Sequence, residues 1–149
     1  MRYRLKLATW TVVREHGQPS PRILSSPKAA ALLAADLLTE HDDDKEHVWV
    51  VFLNAQNHYL LHTAVSVGTQ SASLVHPREV LGPALREGAS SLILVHNHPS
   101  GNPTPSREDL RLTRQLADGA KLLDIRLHDH VIIGNGTLHW VSLAQRGEL

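Results

Sequence analysis

Apolar and polar positions alternate at the start of the chain. Tyr3, Leu5 and Leu7 fall on one side and Arg2, Arg4 and Lys6 on the other, so residues 2–14 read as a half-buried strand at a sheet edge. Gly17 to Pro21 reads as a turn. Ser26 and Pro27 then supply an N-cap and a first-turn proline, and the Ala/Leu-rich segment behind them predicts a helix to about Thr39. His41 to Lys45 is a charged loop. Glu46 to Leu53 is rich in valine and aromatics and predicts a strand. Asn54 to Asn57 predicts a turn and His58 to Val67 a returning strand, ended by Gly68 and Thr69. His76-Pro77-Arg78-Glu79 opens a helix to about Gly88. Ser91 to Val95 is a short continuous apolar run, as expected at a sheet centre. Ser106 to Leu122 predicts a further helix and Ile125 to Ile133 a strand. The Gly134-Asn135-Gly136 turn follows, then a short strand at Leu138 to Val141 and a small terminal helix or tail. The order β-α-β-β-α-β-α-β-β predicts an α/β fold, one mixed-sheet domain over residues 1–149 flanked by helices.

Composition narrows the function classes. The chain has 149 residues, enough for one domain with its own core. It has no cysteine, which removes disulfides, thiolate ligands and a cysteine nucleophile. No stretch reaches the ~18 apolar residues of a membrane span. The basic, apolar N-terminus lacks a small-residue cleavage site and runs on into Arg14-Glu15, so a cytoplasmic protein is expected. Lys+Arg and Asp+Glu both total 15, whereas chains that grip duplex DNA through many phosphates usually carry a basic surplus. DNA binding is therefore weakly supported. Arg107, Arg111 and Arg114 do form a basic stripe on the 106–122 helix. At about 100° per residue, however, Asp109 projects opposite that stripe, beside Leu112, Thr113, Leu116 and Ala120. The stripe reads as a solvated face, and the acidic triplet Asp42 to Asp44 as a solvated loop. The alternating N-terminal strand admits pairing with a second copy, a homodimer.

The candidate chemistry lies in residues 92–109, LILVHNHPSGNPTPSRED. Side chains two apart on a strand share a face, so His96 and His98 can reach one point. The Pro/Gly/Asn loop can bring Asp109, in the first turn of the next helix, to the same point. Two imidazoles and a carboxylate suit zinc, with a fourth position open to water, which is the arrangement of a catalytic site. The bland reading is two core histidines beside a Ser-x-x-Asp helix cap. Two histidines at strand spacing followed by a carboxylate favour ligands.

His96-x-His98, seven residues, Ser106, two residues, Asp109 reproduces the H-x-H-x7-S-x2-D pattern of the JAB/MPN (JAMM) metalloprotease fold. The longer string HNHPSGNPTPSREDLRLT, with VHPREV before it and LHDHVIIG after it, resembles the RadC family over about residues 46–143. The resemblance implies a cytidine-deaminase-like α/β architecture. It also implies zinc on His96, His98 and Asp109, and Ser106 as a hydroxyl that stabilises an oxyanion. A glutamate on an earlier strand completes the family's site; Glu46 fits that place best, and Glu79 in HPREV is its rival. The implied activity is metal-assisted hydrolysis of a peptide or isopeptide bond in a peptide or protein substrate. His128, Asp129 and His130 resemble the family's Asp-His pair; strand alternation puts His128 and His130 on one face, as partners of the ligands, holders of a second metal, or packing residues. His76 and Arg78 are candidates for lining a substrate groove. The chain looks like the short form of the family, without an N-terminal helix-hairpin-helix region, so the DNA-repair role in the family's name does not carry over directly. Asn97 stands where JAMM deubiquitinases have a small hydroxyl residue, and ubiquitin cleavage is not implied. The alternatives are a non-catalytic JAMM-like module bound to DNA or a protein complex, and a metal-dependent nuclease.

Overall fold

The computed structural model describes residues 23–41, 44–68 and 75–149. The expected strand at 2–14, the turn at 17–21, and Asp42 and Asp43 lie outside them. Among the described residues three helices and five strands follow in the order α1 (Pro27–Thr39), β1 (Glu46–Leu53), β2 (Tyr59–Gly68), α2 (Pro77–Arg86), β3 (Ser91–His98), α3 (Arg107–Leu122), β4 (Arg126–Gly134) and β5 (Trp140–Ser142). The strands form one mixed sheet in the order β2-β1-β3-β4-β5. Only β3 and β4 run parallel; every other neighbouring pair is antiparallel.

Helices cover both faces of the central strands, which explains why β1 and β3 read as continuous apolar runs. From His47 to Leu53 every residue of β1 is buried, and from Ser91 to Asn97 every residue of β3. Alternation then sorts them. Trp49, Val51, Leu53, Ile93, Val95, Val131 and Ile133 pack with the Ala30, Leu33, Ala34 and Leu37 stripe of α1. Val48, Val50, Phe52, Leu92 and Leu94 pack with α2 and α3 through Val80, Leu81, Ala84, Leu112, Leu116 and Ala120. Truncating a fully buried ring such as Phe52 costs about 3–5 kcal/mol, a large share of a domain's roughly 5–15 kcal/mol of stability.

The helix starts follow their sequence signals. Ser26 Oγ accepts from the Ala29 N–H at 3.2 Å with Pro27 in the first turn. Ser106 Oγ accepts from the Asp109 N–H at 3.1 Å while Asp109 Oδ2 accepts from the Ser106 N–H at 2.8 Å. This reciprocal pair fixes the first turn of α3. Three boundaries differ from expectation by two residues or more. β3 continues to His98 rather than stopping at Val95, because His96, Asn97 and His98 pair with Ile132, Ile133 and Gly134. α2 ends at Arg86 instead of Gly88, where a backbone φ of +64° turns the chain out of the helix. β5 starts at Trp140, two residues later than read, and the chain then closes in turns rather than a helix. None of the helices among the described residues is long and apolar enough to cross a membrane.

Candidate metal centre

The site lies at the C-terminal end of the parallel pair β3/β4, where open α/β sheets place their ligands. His96 and His98 leave β3 on the same face as Leu92 and Leu94, toward α3. β1 pairs with β3 through Val48↔His96, so Glu46, two residues earlier on the same face, reaches back to the histidines. The first turn of α3 brings Asp109 from the side. One donor atom from each of Glu46, His96, His98 and Asp109 lies within 4.8 Å of all the others.

The geometry suits a cation. His98 Nδ1 donates to the Asn102 carbonyl at 2.8 Å, which leaves the Nε2 lone pair 3.4 Å from Asp109 Oδ2. His96 Nδ1 stands 3.4 Å from Asp109 Oδ1, and its Nε2 meets Glu46 Oε1 in a very close contact. Ligand bonds of about 2.1 Å give a tetrahedron with edges of about 3.4 Å. His96 Nδ1 and Asp109 Oδ1 are buried and have no hydrogen-bond partner. Orphaned buried donors and acceptors are costly unless something else satisfies them. Here they face one another across the space an ion would fill, so the donor set fits a metal.

The electrostatics agree. Burial works to raise the Asp109 pKa, but the contact with His98, the nearby His96 and the Ser106 N–H outweigh it. The carboxyl is held well below the usual carboxylate range. Burial opposes charge on His98 too, yet Asp109, the Asn102 carbonyl and Glu46 leave its pKa raised. Behind the cluster lies His130, fully buried, its ring stacked on His96 at 5.7 Å between centroids. Thr113 Oγ1 donates to the Asp109 carbonyl at 2.7 Å, so His130 Nδ1 must carry the hydrogen in its own 2.7 Å bond to that hydroxyl. Burial, then His96, push the His130 pKa down to about 3. The ring is neutral, with Nε2 bare and unpartnered.

The model of the RadC-like JAB domain matches residues 23–148. The chain belongs to the RadC-like JAB domain family. Curated relatives agree. A UPF0758 protein of Desulfitobacterium hafniense is 45% identical over 127 residues, 85% of this chain and 54% of its own length. UPF0758 proteins of Methanosarcina mazei and Trichodesmium erythraeum are 46% and 44% identical, over 85% and 87% of this chain and 53% and 56% of their own lengths. The chain thus spans about half the length of the curated relatives it matches.

Within this RadC-like domain, the structure gathers Glu46, His96, His98 and Asp109 and ties Ser106 to Asp109 by the capping pair. Glu79 is exposed and instead caps α2, accepting from the His76 N–H at 3.2 Å. The expectation that His128 and His130 share a face is corrected. The β3–β4 register shifts by one after Leu92↔Leu127, leaving His128 as the extra residue. His128 Nε2 meets Asn57 Oδ1 at 2.9 Å, whereas His130 turns to Thr113 on α3. Asp129 is a buried clamp for the chain end: it accepts from Ser142 Oγ at 2.6 Å, from the His130 N–H at 2.8 Å and from the Ala144 N–H at 3.0 Å. Thr113 and Asn97 were given no role by the sequence reading. Their one signal is a polar residue at a position whose pattern is buried, on α3 and β3 respectively.

Proposed function

We propose that this domain is a zinc-dependent hydrolase acting on a peptide or isopeptide bond in a peptide or protein substrate. The observation that carries the reading is the convergence of His96, His98, Asp109 and Glu46 at the end of β3. His96, His98 and Asp109 would hold the ion, and Glu46 stands beside them. When bound, zinc would bring the pKa of a coordinated water from about 15.7 toward 7 and polarise a carbonyl. The remaining steps belong to the protein. The Glu46 side chain is 18% exposed, against 0% for His96 and 1% for Asp109, so it sits at the rim where a substrate can arrive. Its carboxylate takes the proton from the attacking water and passes it to the leaving amine. Ser106 Oγ spends one lone pair on the Asp109 N–H, and its O–H remains to donate to the charge developing on the carbonyl oxygen.

Zinc content and hydrolysis together test this. Wild-type protein binds one zinc, and His98→Ala loses it. Glu46→Gln keeps the zinc but loses about 10²- to 10⁴-fold in hydrolysis of a peptide and isopeptide substrate panel, the usual contribution of a general base. Failure of the wild type to take up zinc at neutral pH would overturn the metal reading. Loss of zinc from Glu46→Gln would make Glu46 a fourth ligand and the site a closed, non-hydrolytic one.

A further inference from the structure

The side chain between the two histidines points the other way. Asn97 lies on the α1 face of β3 and is completely buried, so it cannot touch the cluster. All its polar bonds go to backbone or to one amide. Its Oδ1 accepts from the His47 N–H at 2.6 Å, and its Nδ2 donates to the Lys45 carbonyl at 2.9 Å. The second Nδ2 hydrogen goes to Asn135 Oδ1 at 3.1 Å. A backbone N–H can only donate and a carbonyl can only accept, so these partners fix which way round the amide sits. Lys45 and His47 flank Glu46 on both sides. The backbone register of β1 with β3 runs from Leu53↔Ser91 only as far as Val48↔His96. Beyond Val48 the Asn97 amide takes over as the tie between the start of β1 and the end of β3. Asn135 extends the tie to the turn after β4, whose own Asn135 N–H donates to the His98 carbonyl at 3.0 Å. One buried amide therefore joins the segment bearing Glu46 to the strand bearing both histidines.

We propose that Asn97 is the positioning residue for Glu46: its two bonds to the backbone on either side of that residue hold the carboxylate against His96. The proposal rests on the reading of Glu46 as the base at a metal held by His96, His98 and Asp109. A small hydroxyl side chain at this position is too short to bridge Lys45 and His47 at once. The Asn97 amide thus accounts physically for the residue type found between the histidines here.

The test uses the full chain loaded with cobalt(II), whose visible absorption bands report the groups around the ion. Wild type, Glu46→Gln, Asn97→Ala and the double variant are compared at neutral pH, each checked for one equivalent of cobalt and for native far-UV dichroism. Glu46→Gln shifts the bands. Asn97→Ala is expected to reproduce most of that shift, and the double variant to show no more than Glu46→Gln alone, since the single route acts through one carboxylate. Asn97→Asp, which keeps the acceptor for His47 and loses both donors, is expected to fall between wild type and Asn97→Ala. It replaces Asn97→Ala in the cycle if the latter does not fold. Bands of wild-type position in folded, loaded Asn97 variants would overturn the proposal, and so would an additive shift in the double variant. If Glu46→Gln itself leaves the bands unmoved, Glu46 is not held against the ion's surroundings and this proposal fails, while the base reading is judged separately by the loss of hydrolysis in Glu46→Gln.

Discussion

Asp109 and Asp129 are two buried aspartates of almost equal exposure, 1% and 4%, and they are opposites. Asp129 has every need met: a hydroxyl and two backbone N–H groups surround its oxygens. Asp109 has one oxygen, Oδ2, satisfied by the Ser106 N–H and the other, Oδ1, bare and facing the His96 ring. The same residue type at the same depth is in one case a fastener and in the other a ligand waiting for a cation. Burial alone separates neither; the count of partners does.

Substitution should split them cleanly. Asp109→Ala removes a direct ligand and should weaken zinc by more than the roughly 100-fold that loss of an outer partner costs. In the metal-free protein it should cost less than Asp129→Ala does, about 1–2 kcal/mol, since Ser106 Oγ still caps the helix and only the Ser106 N–H is left without its acceptor. Asp129→Ala should do the reverse. It strands the Ser142 hydroxyl and the Ala144 N–H in a buried place and should cost about 3 kcal/mol, with zinc still bound by the folded fraction. Chelator competition and urea unfolding of both variants measure the two quantities. Equal effects on zinc would erase the distinction.

A second contrast sharpens the first. His130 is the next residue after the satisfied Asp129, yet its Nε2 is orphaned like Asp109 Oδ1. Its folded pKa, about 3, lies below the ordinary 6.5. The unfolded chain therefore takes up a proton below pH 6.5 while the folded one refuses it until about pH 3. The contribution to stability is whole above 6.5 and falls as pH drops toward 3, by at most about 1.4 kcal/mol per unit. His98, whose pKa is raised, works in the opposite sense, its contribution present below 6.5 and lost as pH rises through its folded value. Asp109, held below 3.8, stays charged across pH 4 to 6.5. The difference between wild type and His130→Asn, which keeps a donor for Thr113, isolates His130. In metal-free protein that difference should widen in favour of the variant as pH falls from 6.5 to 4. Parallel curves in urea would show that His130 is not held neutral.

How much of this was legible in the sequence depends on how local the cause is. The helix starts at Ser26 and Ser106 are each written within four residues and were readable. So was the pair His96 and His98, because a period of two needs only a strand. Asp109 was readable from its place in a first helical turn. The bulge at His128 was not, because nothing local announces the extra residue; it is set by how β4 docks on β3. Without it, alternation puts His128 and His130 on one face, and the fold puts them on two. Glu46 was favoured for its place ahead of an apolar run, and Glu79 stayed its rival through the HPREV motif. What separates them is that β1 lies beside β3, a pairing of residues about fifty apart in sequence, while Glu79 is spent on its own helix start. Asn97 was hidden for the same reason: its partners Lys45, His47 and Asn135 come from two distant segments.

The smallest expected effect belongs to the outer face of the same helix that carries Asp109. Arg107, Arg111 and Arg114 are exposed, while Asp109, Leu112, Thr113, Leu116 and Ala120 are buried on the other side of α3. Charges on a solvated face are screened beyond about 8–10 Å at ordinary salt, so the stripe should not reach the metal centre. The triple change of these arginines to alanine should leave zinc affinity unaltered and stability within about 0.5 kcal/mol. The same variant asks whether the stripe has a partner of its own. A module that holds DNA through these arginines would bind duplex with a steep salt dependence, and the triple variant would flatten it. Absence of salt-sensitive binding in the wild type would leave the stripe as a solvated face and concentrate the chemistry of the domain on the opposite side of one helix. A fall in zinc affinity in the triple variant would instead mean that the two faces of α3 are coupled, and the separation of fastener, ligand and surface drawn from the aspartates would not hold along that helix.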